Sequence, residues 1–81
     1  MADSPIPHKS IFSPRYDAFL EQLREARQKA GLTQREAAAL LHRPQSWVAQ
    51  SETGERRVDV IELLAFLEVY KTDPTRFIKR L

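Results

Sequence analysis

Between Gly31 and Gly54, the only two glycines of the sequence, the local signals leave room for two short helices and little else. Gly31 stands where a helix C-terminal glycine belongs. Thr33-Gln34-Arg35-Glu36 is a capping box, threonine first and glutamate three residues later. The helix it opens presents Ala37, Ala38 and Leu41 inward, and its two alanines let a neighbour approach closely. His42-Arg43-Pro44 is then a tight connection, and a further helix runs over about residues 44–53 until Gly54 ends it.

Helical signals also fill the flanks. Tyr16, Phe19, Leu20, Leu23, Arg27 and Ala30 recur at three-and-four spacing, which predicts a first helix beginning near Pro14. Asp59, with Glu62 three residues on, caps an amphipathic fourth helix whose expected inward stripe is Val60, Leu63, Leu64 and Leu67. Asp73-Pro74 starts a fifth helix towards Leu81. No stretch alternates with a period of two long enough to argue a strand. The expected fold is all-α, with four to five short helices in one domain over residues 15–81. Residues 1–14, which hold three of the five prolines, read as a flexible arm.

Composition removes several classes of function. The 81 residues include no cysteine, which excludes disulfides and thiolate metal sites and fits a reducing cytoplasm. No apolar run reaches the roughly 20 residues a membrane span needs. His8 and His42 are the only histidines and sit in no metal-ligand spacing, and no glycine-rich phosphate loop exists. Neither a cofactor nor a metal is expected, and nothing points to an enzyme.

The third helix carries the functional signal. At about 100° per residue, Gln45, Ser46, Ala49, Gln50 and Thr53 share one side, while Trp47, Val48 and Ser51 lie opposite with Glu52 at their edge. A solvated face ordinarily carries Lys and Glu. This one carries amides, hydroxyls and a methyl, the groups that read adenine and thymine edges in a major groove. Net charge is only +2, from 13 basic and 11 acidic residues, but 43–51 contains no acid and Arg56-Arg57 follows closely. Two short helices joined by a tight turn are a helix-turn-helix, here at about residues 33–53.

From about residue 20 to residue 77 the chain resembles the Cro/C1-type (XRE) helix-turn-helix family of lambdoid phage repressors and many bacterial regulators. The resemblance rests on Leu23-Arg24-Glu25-Ala26-Arg27, Gly31-Leu32-Thr33-Gln34-Arg35-Glu36-Ala37-Ala38, Pro44-Gln45-Ser46-Trp47-Val48 and Glu52-Thr53-Gly54-Glu55-Arg56-Arg57. It implies a lambda-repressor-like DNA-binding domain and a transcriptional regulator, with repression the expected sign. It implies base contacts from Gln45, Ser46 and Gln50, beside which Ala49 offers its methyl. It further implies a phosphate contact from Gln34 and backbone contacts from Arg56 and Arg57. Arg35 and Arg43 are expected to join them. The family's buried ion pair maps onto Arg27 and Glu52, two opposite charges that the helical pattern independently turns inward.

Two positions depart from the family pattern. His42 stands where the turn usually has glycine, although histidine tolerates positive φ better than most residues. Ser51 stands where a large apolar residue is usual, and Trp47 is expected to compensate by packing on the flank of helix three rather than stacking on a base.

The expected partners are a double-stranded DNA operator and a second copy of the chain. Phe66, Tyr70, Phe77, Ile78 and Leu81 are the residues assigned to that homodimer contact, although they could instead complete a monomer's core. Lys9 and Arg15 could bring the arm to DNA, with a plain tail as the alternative reading. An antitoxin or adaptor of the same fold, with a toxin or other protein partner, is the competing function. No membrane association or small-molecule ligand is expected, and the place of action is the cytoplasm, at the nucleoid.

Overall fold

The computed structural model describes residues 13–81, which form five helices and no strand. These are α1 (Pro14–Lys29), α2 (Gln34–Leu41), α3 (Gln45–Thr53), α4 (Val60–Val69) and α5 (Pro74–Lys79). Lys9, His8 and most of the expected arm fall outside the described residues. Ser13 and Pro14, assigned to that arm, belong to the helical domain. The Ser13 hydroxyl accepts from the Tyr16 amide at 3.2 Å, and Pro14 occupies the first turn of α1.

Each boundary has a chemical cause. Thr33 and Glu36 close the reciprocal capping box of α2, and Asp59 and Glu62 repeat it on α4. Asp73 caps α5 through the Thr75 amide at 3.1 Å. Two helices end on a left-handed residue other than glycine, His42 at φ 58° and Lys71 at φ 54°. Their reversals close the same way: the Arg43 amide donates to the Ala38 carbonyl at 3.0 Å, and the Thr72 amide to Leu67 at 2.9 Å.

All five helices feed one core. Leu23, Val48, Phe66 and Leu67 are fully buried, and each contributes about 1.5–3 kcal/mol of transfer free energy. Ala37 and Ala38 are also buried, so α2 can lie close against α3. Phe19 meets Phe77 edge-on at 6.0 Å, and the buried Gln22 amide donates to the Phe77 carbonyl at 2.6 Å. Those two contacts pin α5 to α1.

The phase of α4 differs from the expected stripe. Leu63, Phe66, Leu67 and Tyr70 face inward, whereas Val60 is 66% exposed and Leu64 46% exposed. Glu62 and Glu68 are the only polar residues of VIELLAFLEV, so several apolar stripes satisfy the periodicity equally well. The large aromatics then win the interior because they bury the most area. The expected dimer residues change with the phase. Phe66, Tyr70 and Phe77 are 0%, 3% and 3% exposed and complete the core of a single chain. Leu81 packs half-buried against that core, and of the five only Ile78 is exposed.

Candidate nucleic-acid interface

The turn between α2 and α3 is set by three residues. His42 takes the left-handed conformation, and Arg43 continues the reversal. Pro44, extended at ψ 153°, turns the chain into α3. Proline suits this place because its fixed φ is already near the helical value.

The faces of α3 are sharply divided. Val48, Ser51 and Glu52 are buried; Gln45, Ser46, Gln50 and Thr53 are exposed, and Ala49 is half-buried between them. The exposed face therefore presents two amides and two hydroxyls around one methyl, with no charge. Arg35 is exposed at the start of α2, and Arg43 is exposed at the turn. Arg35 and Gln45 share an open depression with Thr33 and Gln34, between the starts of α2 and α3.

Behind this face stands a buried ion pair. Arg27 of α1 donates through Nε to Glu52 Oε2 at 2.6 Å and through Nη2 to Oε1 at 3.1 Å. Its Nη1 donates to the Leu32 carbonyl at 2.9 Å, which ties the pair to the connection between α1 and α2. The hydrogen bonds to Glu52 raise the Arg27 pKa above its ordinary value, so the guanidinium stays charged. Gln34 joins the same carboxylate, Nε2 donating to Glu52 Oε1 at 3.0 Å. Its amide thus faces the pair, whereas the family pattern implied a phosphate.

A second bracket follows α3. Arg56 donates through Nη1 to Ser51 Oγ at 3.1 Å and through Nη2 to Glu62 Oε2 at 2.7 Å. Its guanidinium lies 4.3 Å from the Trp47 ring centre, and that of Arg43 lies 4.9 Å away. Trp47 itself stacks on Phe66, with centroids 5.3 Å apart and planes 16° from parallel. The small Ser51 makes room for this arrangement, its hydroxyl donating to the Trp47 carbonyl at 2.7 Å. Arg56 is therefore committed within the protein, joining α3 to α4. Arg57 is exposed, with its guanidinium 4.6 Å from the Tyr16 ring centre, and the Tyr16 hydroxyl accepts from the Val58 amide at 3.1 Å.

Sequence reasoning missed the bracket. The one available signal was the second role of Glu62: a capping-box glutamate uses one carboxylate oxygen on the Asp59 amide and leaves the other for a cation upstream. No group of side chains among the described residues could hold a metal ion, and no described helix is long and apolar enough to cross a membrane.

Comparison with known proteins gives the same picture. The family model for a helix-turn-helix domain matches residues 18–77. No curated protein sequence gives a significant match. Among solved structures, the chain is similar to an XRE-family like protein from Pseudomonas syringae pv. tomato str. DC3000. That similarity reaches 49% identity and a TM-score of 0.81, over 89% of this chain and 88% of that one. The division of α3 into a buried side fixed by Arg27 and a polar side open to solvent thus occurs in a chain that belongs to the XRE-type helix-turn-helix family.

Proposed function

We propose that this protein is a sequence-specific regulator of transcription that reads the major groove of double-stranded DNA with α3 and acts as a repressor by occupying promoter DNA. The observation that carries the reading is the exposed face of α3: Gln45, Ser46 and Gln50 stand open beside the half-buried Ala49, with no acid on that face. Glutamine is suited to a paired contact with adenine, and an alanine methyl to the thymine methyl. Arg35, Arg43 and Arg57 surround the face as the cations for phosphate contact, and such contacts position a protein without specifying sequence. Gln34 and Arg56, already engaged with Glu52 and Glu62, act behind the face by holding it.

One recognition helix reads only a few base pairs, too few to single out a genomic site. The functional unit is accordingly a symmetric pair of chains on two half-sites, about one helical turn apart. Selection of bound sequences from random duplex DNA tests the proposal: it predicts a two-fold symmetric consensus. Recovery of no consensus at moderate salt would reject sequence-specific reading, and a promoter carrying the consensus should lose transcription when the protein is added.

A further inference from the structure

The C-terminal ends of α1, α2 and α4 meet α5 around a recess of about 720 Å³. Leu32, Leu40 and Val69 supply apolar walls, with Leu40 exposed at the edge, and the buried Tyr70 and Phe77 lie beneath them. Four cations share the lining: Lys29, Lys71, Arg76 and Arg80. Lys29, Lys71 and Arg76 are exposed and make no ion pair among the described residues. Arg80 reaches Glu25 only at 3.9 Å, with both side chains more than half exposed, and such a pair is worth little in water. The second acid of the lining, Asp73, is occupied in capping α5, its carboxylate accepting from the Thr75 amide at 3.1 Å. The recess is therefore positive, and its positive charge is unspent.

The chemistry of the lining selects the ligand. Exposed lysines and arginines hold a bare anion weakly, because water competes for both charges. The apolar walls add binding only for a ligand that brings an apolar body with its charge. Small-molecule sites ordinarily measure about 300–1,000 Å³ and combine apolar lining with a few convergent polar groups, and this recess does both. Its lining comes from four helices and two connections, so it is bounded on several sides, whereas a peptide groove runs along an element.

We propose that this recess binds a small carboxylate with an apolar body, the carboxylate against Lys71 and Arg76 and the body against Leu40, Val69 and Tyr70. This departs from the sequence-based expectation of no small-molecule ligand, because the lining converges from residues 22–80 only in the folded chain. No residue of α3 lines the recess, so occupancy leaves the polar face of α3 open. The inference is independent of how DNA is read.

The test uses naphthoate as the probe, titrated into the full chain and followed through backbone amide shifts by NMR. Saturable shifts with a dissociation constant of about 1 mM or tighter are expected at Ala26, Ala30, Leu32, Val69 and Tyr70. The exposed Gln45, Ser46 and Gln50 of α3 should not move. Naphthylmethanol keeps the rings without the charge and should bind at least about fivefold more weakly, as should naphthoate to Lys71→Gln/Arg76→Gln. Leu40→Ala should weaken both probes alike. Absence of saturable shifts at the recess, equal binding of the two probes, or an unchanged affinity in the double variant would each overturn the proposal. If the double variant loses its helical circular dichroism, Lys29→Gln and the uncharged probe on wild type still decide. A peptide of alternating Glu and Leu that binds wild type more tightly than naphthoate, and weakens in the same variants, would assign the recess to a protein segment and equally overturn it.

Discussion

Replacing Arg27 with alanine removes two of the three hydrogen bonds that reach the Glu52 carboxylate and leaves only Gln34. The Glu52 side chain is 2% exposed, so water cannot replace the lost donors. An uncompensated buried charge of this kind costs on the order of 3–5 kcal/mol. At roughly 0.05–0.15 kcal/mol per residue, a chain of this length has about 4–12 kcal/mol of stability in total. The substitution should therefore lower the thermal midpoint by more than about 10 °C, since each kcal/mol moves a small domain several degrees. Urea titration followed by circular dichroism measures the same loss as a free energy. The cause is an orphaned charge, so removing both charges in Arg27→Met/Glu52→Met should recover about 2 kcal/mol relative to Arg27→Ala. The reasoning is refuted if Arg27→Ala lies within about 1 kcal/mol of wild type, or if the double variant is the less stable of the two.

The strain at His42, held at φ 58°, should be relieved by His42→Gly; a gain of up to about 1 kcal/mol in urea titration is expected, and a loss would contradict the assigned strain. Arg56→Ala should lower stability by about 1–2 kcal/mol while leaving the salt dependence of DNA binding unchanged, because its guanidinium is spent on Ser51, Glu62 and Trp47. Arg35→Ala or Arg43→Ala should do the reverse, reducing the salt slope by about one unit with little effect on folding. The hydrogen bond from Arg56 holds the Glu62 carboxyl below its ordinary value of 4.5. A pKa depressed in the folded state stabilises at neutral pH, and this contribution fades as pH falls below about 4.5 through the folded value. Glu62→Gln should therefore flatten the acid limb of the stability–pH curve, and an unchanged limb would remove Glu62 as its source.

The boundaries of the fold were legible because they are local. Thr33, Asp59 and Asp73 cap their helices through atoms within three residues, so a short stretch of sequence contains the whole interaction. The two sides of α3 were legible from Trp47 and Val48 together with the family pattern that turns Glu52 inward, because two of its three buried residues, Ser51 and Glu52, are polar. The phase of α4 was not, because an almost wholly apolar helix satisfies several stripes, and the choice is made by packing against other helices, as where Phe66 stacks on Trp47 of α3. That one ambiguity accounts for Phe66 and Tyr70 being expected at a dimer contact. Phe77 was misplaced separately, since its burial against Phe19 depends on α5 folding back over α1. The bracing role of Arg56 was not legible for a similar reason: its partners Ser51, Trp47 and Glu62 meet only once α3 and α4 are placed in space.

The central claim, that the exposed amides of α3 read bases, is tested most directly by repeating the selection of bound sequences with Gln45→Ala and Gln50→Ala. Both side chains are exposed, so neither change should disturb folding. Each variant should bind the wild-type consensus more weakly by about 1–3 kcal/mol and lose preference at one or two base pairs in each half-site, with non-specific affinity nearly unchanged. If both variants recover the wild-type consensus with unaltered strength, α3 is not the reading helix.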